Sequence, residues 1–157
     1  MTINEKQDEI IKEFDLLDKE LEDIGFDLSE RLLQKTDYVI DLGQKLPPMP
    51  ESDKVVDNRI FGCQSIVWLT ANTQDRRLYF TGDGDRTAKI SKGIISLLIR
   101  VLSGEKPDDI ANANLYFVEK IGMKSFISSQ RNGGLASMIE QMKAYGRAYA
   151  NQTATQS

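Results

Sequence analysis

The sequence predicts an α+β fold: a two-layer sandwich with about three antiparallel strands in one block and helices before and after. Three observations carry this. The period-two runs rich in β-branched and aromatic residues all fall between residues 54 and 81. Amphipathic helix patterns fill the chain on both sides of that block. Strand and helix never alternate, as a doubly wound α/β fold would require. A chain of 157 residues, 40% apolar and 28% charged, has the size and composition of one soluble domain that needs no staples. Residues 1–150 are read as a single domain and residues 151–157 as a polar, disordered tail.

Taken in order, residues 6–24 place Ile10, Phe14, Leu17, Leu21 and Ile24 on one helical stripe, which Gly25 ends. Asp27 or Ser29 can cap a second helix, whose face runs through Leu32, Val39, Leu42 and Leu46. Pro47, Pro48 and Pro50 then force an extended, exposed connector. Residues 54–62 read as a weak strand feeding the Gly62-Cys63 turn. Ile66-Val67-Trp68-Leu69-Thr70 and Leu78-Tyr79-Phe80-Thr81 form a hairpin around a turn at Asn72-Thr73-Gln74-Asp75. Asp85 stands where an N-cap belongs for a helix over 86–103, closed by Gly104 and Pro107. Short helical pieces follow near Pro107 and Leu115. A last helix over 132–150 carries Leu135, Met138, Ile139, Met142 and Tyr149 on one side.

Composition excludes much chemistry. The chain has no histidine and a single cysteine, Cys63. A Ser-His or Cys-His nucleophile pair, a zinc or iron–sulfur site and an internal disulfide therefore all lack their parts. No cofactor and no metal is expected on this chain. A net charge of −4 and a pI near 4.9 argue against nucleic-acid binding. No apolar run is long enough to span a bilayer. The N-terminus lacks a signal-peptide core, and a lone thiol fits a reducing, cytoplasmic setting.

Cys63 is thus the chief candidate for chemistry. The bland alternative is a small buried hydrophobe. Its place after Gly62, at the entrance to a strand, favours a functional thiol, with Gln64 and Ser65 as polar support for a thiolate or perthiolate. The Gly82-Asp83-Gly84-Asp85 run fails as a calcium loop, because Ala88 and Ile94 stand where a glycine and a glutamate are needed. It is also too acidic to cradle phosphate. That leaves a strand-to-helix turn capped by Asp85, with a partner contact open. Arg131, in Ser128-Ser129-Gln130-Arg131-Asn132-Gly133-Gly134, is either a solvated loop arginine or a group that reaches a carboxylate or a sulfur-bearing loop.

These residues carry a resemblance. Asp37 through Pro47, with its Leu-Gly-x-x-Leu-Pro segment, and Gly62-Cys63-Gln64-Ser65 with Val67-Trp68 resemble the SufE family of sulfur acceptors, SufE and CsdE alike. Gly82 through Asp85, Lys92-Gly93, Arg131 and Gly134-Leu135 add matches in unbroken order over roughly residues 30–150. The resemblance implies a fold shared with iron–sulfur scaffolds of the IscU type. It implies that Cys63 takes persulfide sulfur from a pyridoxal-phosphate cysteine desulfurase (SufS- or CsdA-like), stimulates that enzyme and relays sulfur to a SufB-containing scaffold. The chain would be a transpersulfidation partner rather than a stand-alone enzyme, and a monomer or weak homodimer. Asp85 and Arg131 match family positions that close the loop or face the partner. Two other readings stay open: a non-covalent adaptor of a desulfurase, and a one-cysteine redox sensor.

Overall fold

The computed structural model describes residues 1–156. Two helices, α1 (Ile3–Asp23) and α2 (Leu28–Gln44), lead into a hairpin of β1 (Val67–Gln74) and β2 (Arg77–Gly84). Five helices follow: α3 (Lys89–Leu102), α4 (Pro107–Ala111), α5 (Phe117–Lys120), α6 (Met123–Phe126) and α7 (Ser129–Gln156). The α+β class stands, with two strands instead of about three.

The second helix begins at the Asp27 cap that the sequence offers, and the first begins at Ile3, three residues ahead of the expected stripe, because Thr2 caps it. Thr2 and Glu5 close a reciprocal capping box on α1, and Asp27 and Glu30 close one on α2, with Asp27 Oδ1 accepting from the Glu30 amide at 2.8 Å. Each box satisfies two N–H groups that the first helical turn leaves unpaired. Ile10 and Phe14 of α1 are buried, and so is Gln7, whose amide group accepts from the Phe117 N–H at 3.1 Å and donates to the Asn114 carbonyl at 3.0 Å. Helices α2 and α3 cross closely because both carry glycine at the crossing. A methyl group on Gly93 would fall onto the Val39 carbonyl, and one on Gly43 would come within 2.5 Å of the Gly93 amide nitrogen.

The hairpin turn differs from its sequence reading. Asp75 and Arg76 both have positive φ, 53° and 64°, which is a two-residue type I′ turn. Residues 72–74, read as turn because they are polar, are strand: the hairpin tip projects into solvent, so pairing there carries no apolar signature. One face of the hairpin packs, with Val67, Leu69, Leu78 and Phe80 buried against α3, whose Ile94, Ile95, Leu98 and Val101 face them in one core.

The weak strand over 54–62 is not a strand. Two short 3-10 turns, Glu51–Asp53 and Val56–Asn58, occupy its first part, and only Arg59 bridges to Trp68. On the opposite edge, Leu78 pairs singly with Glu105. Each sheet edge is thus covered by a brief backbone contact rather than by a third strand.

Two helix boundaries also move. Helix α3 starts at Lys89, because the Asp85 carboxylate turns back onto the Thr87 amide at 2.9 Å and hydroxyl at 2.7 Å, forming a local turn instead of an N-cap. Helix α7 starts at Ser129 and continues through Gln156, so 151–156, expected as a disordered tail, extend the helix; residue 157 lies outside the described residues. Ser128 accepts from the Arg131 amide at 3.3 Å, and the Asn132 amide donates to the Ser128 carbonyl at 3.0 Å. That serine acts as the cap, and Gly133 and Gly134 lie within the helix rather than before it.

Candidate functional site

Cys63 lies in a closed loop over residues 61–66. The Ile60 amide donates to the Val67 carbonyl at 2.8 Å and Arg59 bridges Trp68, which pinches the base of the loop. The register of the hairpin sets Val67 opposite Gly84, so the loop enters β1 beside the point where the chain leaves β2. There the Asp85 amide donates to the Ile66 carbonyl at 3.0 Å and ties down the far end of the loop. Gly62 has φ +94°, a conformation that only glycine adopts freely, and a methyl group there would overlap the Ser137 hydroxyl on α7.

The other wall is α7. The Cys63 Sγ lies 3.9 Å from the Gly134 carbonyl, and a methyl group on Gly134 would stand 3.3 Å from that sulfur. The glycine therefore lets the helix backbone lie directly against the thiol. Cys63 is half-buried and joins the edge of the hydrophobic core. Burial pushes its thiol pKa up, and the nearby Arg59 charge opposes that rise. The resting thiol is a sheltered, mostly protonated group.

The remaining sequence candidates divide. Gly62 and Cys63 sit together against α7, and Asp85 reaches the loop through its backbone, while its carboxylate serves Thr87. That hydrogen bond, with other local donors, holds the Asp85 carboxyl below its usual range. Gln64 is exposed, Ser65 is half-buried, and among the described residues neither side chain makes a hydrogen bond. The Arg131 guanidinium turns to the Ser128 hydroxyl at 3.4 Å and makes no hydrogen bond with Cys63.

Two features escaped the sequence reading. Asp83, treated only as part of a turn, is a buried carboxylate that accepts from the Met49 amide at 3.1 Å and the Gly84 amide at 2.8 Å. Lys92 and Lys54 approach it at 3.4 and 3.6 Å. Burial works against its charge, but these donors and cations outweigh burial and hold its carboxyl below the usual range. Asp83 thereby fastens the proline-rich connector to the sheet and to α3. The second feature is Arg59. Its guanidinium carbon lies 5.4 Å from the centre of the Phe61 ring, and its buried Nε has no hydrogen-bond partner. Its place in the sequence could have drawn attention to Arg59, since it is a cation four residues before the single cysteine and next to the apolar Ile60.

Comparison with known proteins meets this geometry. A family model described as "SufE: Fe-S metabolism associated domain" matches residues 8–146. The chain belongs to the SufE family. An uncharacterized SufE-like protein of Rhizobium meliloti is 38% identical over 112 residues, 68% of this chain and 79% of that protein. The cysteine desulfuration protein SufE of Plasmodium vivax is 36% identical over 116 residues, 71% of this chain but 45% of that longer protein. A solution structure of a hypothetical protein from Thermus thermophilus superposes with a TM-score of 0.69 at 18% identity, covering 93% of this chain and 96% of the other. That similarity concerns the fold alone. The SufE match reaches well into the first 30 residues, where the sequence resemblance had stopped. No helix among the described residues is long and apolar enough to cross a membrane.

Proposed function

We propose that this SufE-family chain is a cytoplasmic sulfur acceptor: Cys63 takes persulfide sulfur from a cysteine desulfurase, relieves that enzyme of its product and passes the sulfur to an iron–sulfur assembly scaffold. The observation that carries this reading is the Cys63 loop, a solitary thiol at a glycine turn, half-buried against a helix glycine and tied at both ends to the sheet. Family membership and the relatives named for cysteine desulfuration support it.

The chemistry asks for an acceptor of this kind. The Cys63 thiolate attacks the outer sulfur of the donor persulfide, a bond forms between the two sulfurs, and the donor cysteine leaves as a thiolate with the electron pair of the broken S–S bond. The step needs no metal, no external oxidant and no histidine on the acceptor. The pyridoxal phosphate that generates the donor persulfide belongs to the desulfurase. A resting thiol that is sheltered and largely protonated resists stray oxidation, and docking has to free it. Asp85 and Arg131 belong to this reading as a backbone tie on the loop and a partner-facing cation on α7.

Intact mass after incubation with cysteine and a desulfurase tests it. Added mass of one or more sulfur atoms, removed by dithiothreitol and absent in Cys63→Ser, is the expected result. Faster desulfurase turnover without any sulfur on Cys63 would instead favour a non-covalent adaptor.

A further inference from the structure

Arg59 stands at the base of the Cys63 loop, four residues before the thiol. Three contacts hold it there. Its backbone bridges Trp68, the next residue's amide donates to the Val67 carbonyl at 2.8 Å, and its guanidinium lies against the Phe61 ring at 5.4 Å. Among the described residues Arg59 makes no ion pair, and its Nε is buried without an acceptor. A buried donor left unpaired is uncommon enough to need an explanation, because removing it from water costs free energy that no partner returns.

We propose that Arg59 is the cation that stabilises the anionic sulfur of Cys63, as the attacking thiolate and then as the perthiolate formed from it. This deepens the sulfur-acceptor reading and rests on it. In the step above the donor R–S–SH gives its outer sulfur to the Cys63 thiolate and leaves as R–S⁻. The new Cys63–S–SH then loses its proton to that departing thiolate, which leaves Cys63–S–S⁻ and R–SH. Negative charge thus starts on the Cys63 sulfur, passes to the departing thiolate as the S–S bond breaks, and returns to the Cys63 branch one sulfur atom further out when the proton moves. An unpaired guanidinium donor supplies what that charge lacks, since no histidine stands anywhere in the chain to do so.

Of the other charged groups on elements packed around the loop, Arg86 and Lys89 are exposed, Lys143 is half-buried on α7, and the following are engaged elsewhere. Arg131 turns to Ser128, Glu140 pairs with Arg147 at 2.6 Å, Asp85 holds Thr87, and Lys54 and Lys92 serve Asp83. Asp57 is exposed on the 3-10 turn. Among the described residues the charge acting on the Cys63 thiol is that of Arg59, and it favours the ionised form.

The test uses the full chain without a desulfurase, so it stands apart from the relay reading. Arg59→Lys and Arg59→Gln both lose the flat packing on Phe61, and only lysine keeps the charge, so their difference reads charge and not fold. The pH dependence of iodoacetamide alkylation is measured on the thiol, and again after loading with a small alkyl hydropersulfide. In Arg59→Gln both midpoints should rise by about one pH unit, the low end for a neighbouring cation, with lysine bringing them back toward wild type. Loading at neutral pH should fall several-fold in the glutamine variant. Unchanged midpoints in Arg59→Gln would overturn the proposal. So would an equal rise in both variants, which would make Arg59 a packing residue only. A wild-type chain that never accepts sulfur from a desulfurase would remove the relay reading and leave the thiol titration to decide the role of Arg59.

Discussion

At the scale of single residues, the fold keeps a thiol quiet without losing it to the core. Cys63 is half-buried, and burial raises its pKa above the ordinary 9.0 more than the Arg59 charge lowers it. The folded state therefore holds the thiol proton more tightly than the unfolded chain. Alkylation in the folded protein at neutral pH should be slower than in urea, by about tenfold for each pH unit of separation. The same sign makes stability fall as pH rises beyond 9.0, where the unfolded thiol ionises first, and Cys63→Ser should remove that slope. A thiol that alkylates equally fast folded and unfolded would contradict the sheltered loop. Gly134 offers a finer test. A methyl group there would meet the Cys63 sulfur at 3.3 Å and its Cα at 3.4 Å, so the loop has to give by a few tenths of an ångström. Alanine in a helix gains up to about 1 kcal/mol over glycine. Gly134→Ala should therefore leave the melting temperature nearly unchanged while quickening alkylation of Cys63, and a slower reaction would show that the loop tightens instead.

At the scale of elements, the long helices were legible because their apolar periodicity runs nearly their whole length, while their exact starts depend on the caps. Thr2 with Glu5 and Asp27 with Glu30 mark starts that no tertiary contact overrides. The misread elements are those where tertiary contact decides. The stretch 54–62 carries β-branched residues, yet Val55 and Val56 are exposed and a single bridge at Arg59 is all the pairing that forms. Gly133 and Gly134 read as loop because glycine weakens helices, but Ser128 caps the turn and the Cys63 loop needs a bare backbone to rest on. Asp83 was invisible for a different reason: Met49, 34 residues upstream, and Lys54 reach it from the connector, and Lys92 from the next helix. Removing its buried carboxylate leaves the Met49 and Gly84 amides and Lys92 short of an acceptor, while Lys54 keeps Glu51 at 2.9 Å. Asp83→Ala should cost about 2 kcal/mol at neutral pH. Because the folded carboxyl titrates below its ordinary 3.8, the charge contributes stability above that value and loses it as pH falls through the lower folded one. Melting curves from about pH 2 to pH 7 should show wild type and Asp83→Asn converging in acid and separating toward neutrality. A gap that stays constant with pH would mean that the charge of Asp83 is immaterial.

At the scale of the whole molecule, the fold delivers one reactive group to one surface. The hairpin, the pinched loop and the start of α7 meet around Cys63, while α1 to α3 form the body of the core behind the sheet. That a thiol, a glycine turn and a strand entry belong together was legible in Gly62-Cys63-Gln64-Ser65. That α7 forms the second wall was not, because Gly134 lies 71 residues downstream. The surface beside the loop is unusually apolar for one so exposed: Val56 is 69% and Phe61 64% accessible, with Val55 at 45%. A sulfur acceptor must bring its thiol into a desulfurase active site, and an apolar rim around the loop suits such a docking face. Val56 is the cleanest probe, because it flanks the loop on a 3-10 turn without the Arg59 contact that Phe61 makes. Val56→Asp should leave the melting temperature within a degree or two, since an exposed position carries little of the fold. It should weaken docking by about 5- to 30-fold, the effect of losing about 1–2 kcal/mol at an interface. Sulfur loading of Cys63 from a desulfurase at limiting concentration should fall accordingly, while loading from a small alkyl hydropersulfide, which needs no docking, should match wild type. Equal losses from both donors would point to a disturbed loop, and no loss from either would move the docking face elsewhere on the molecule.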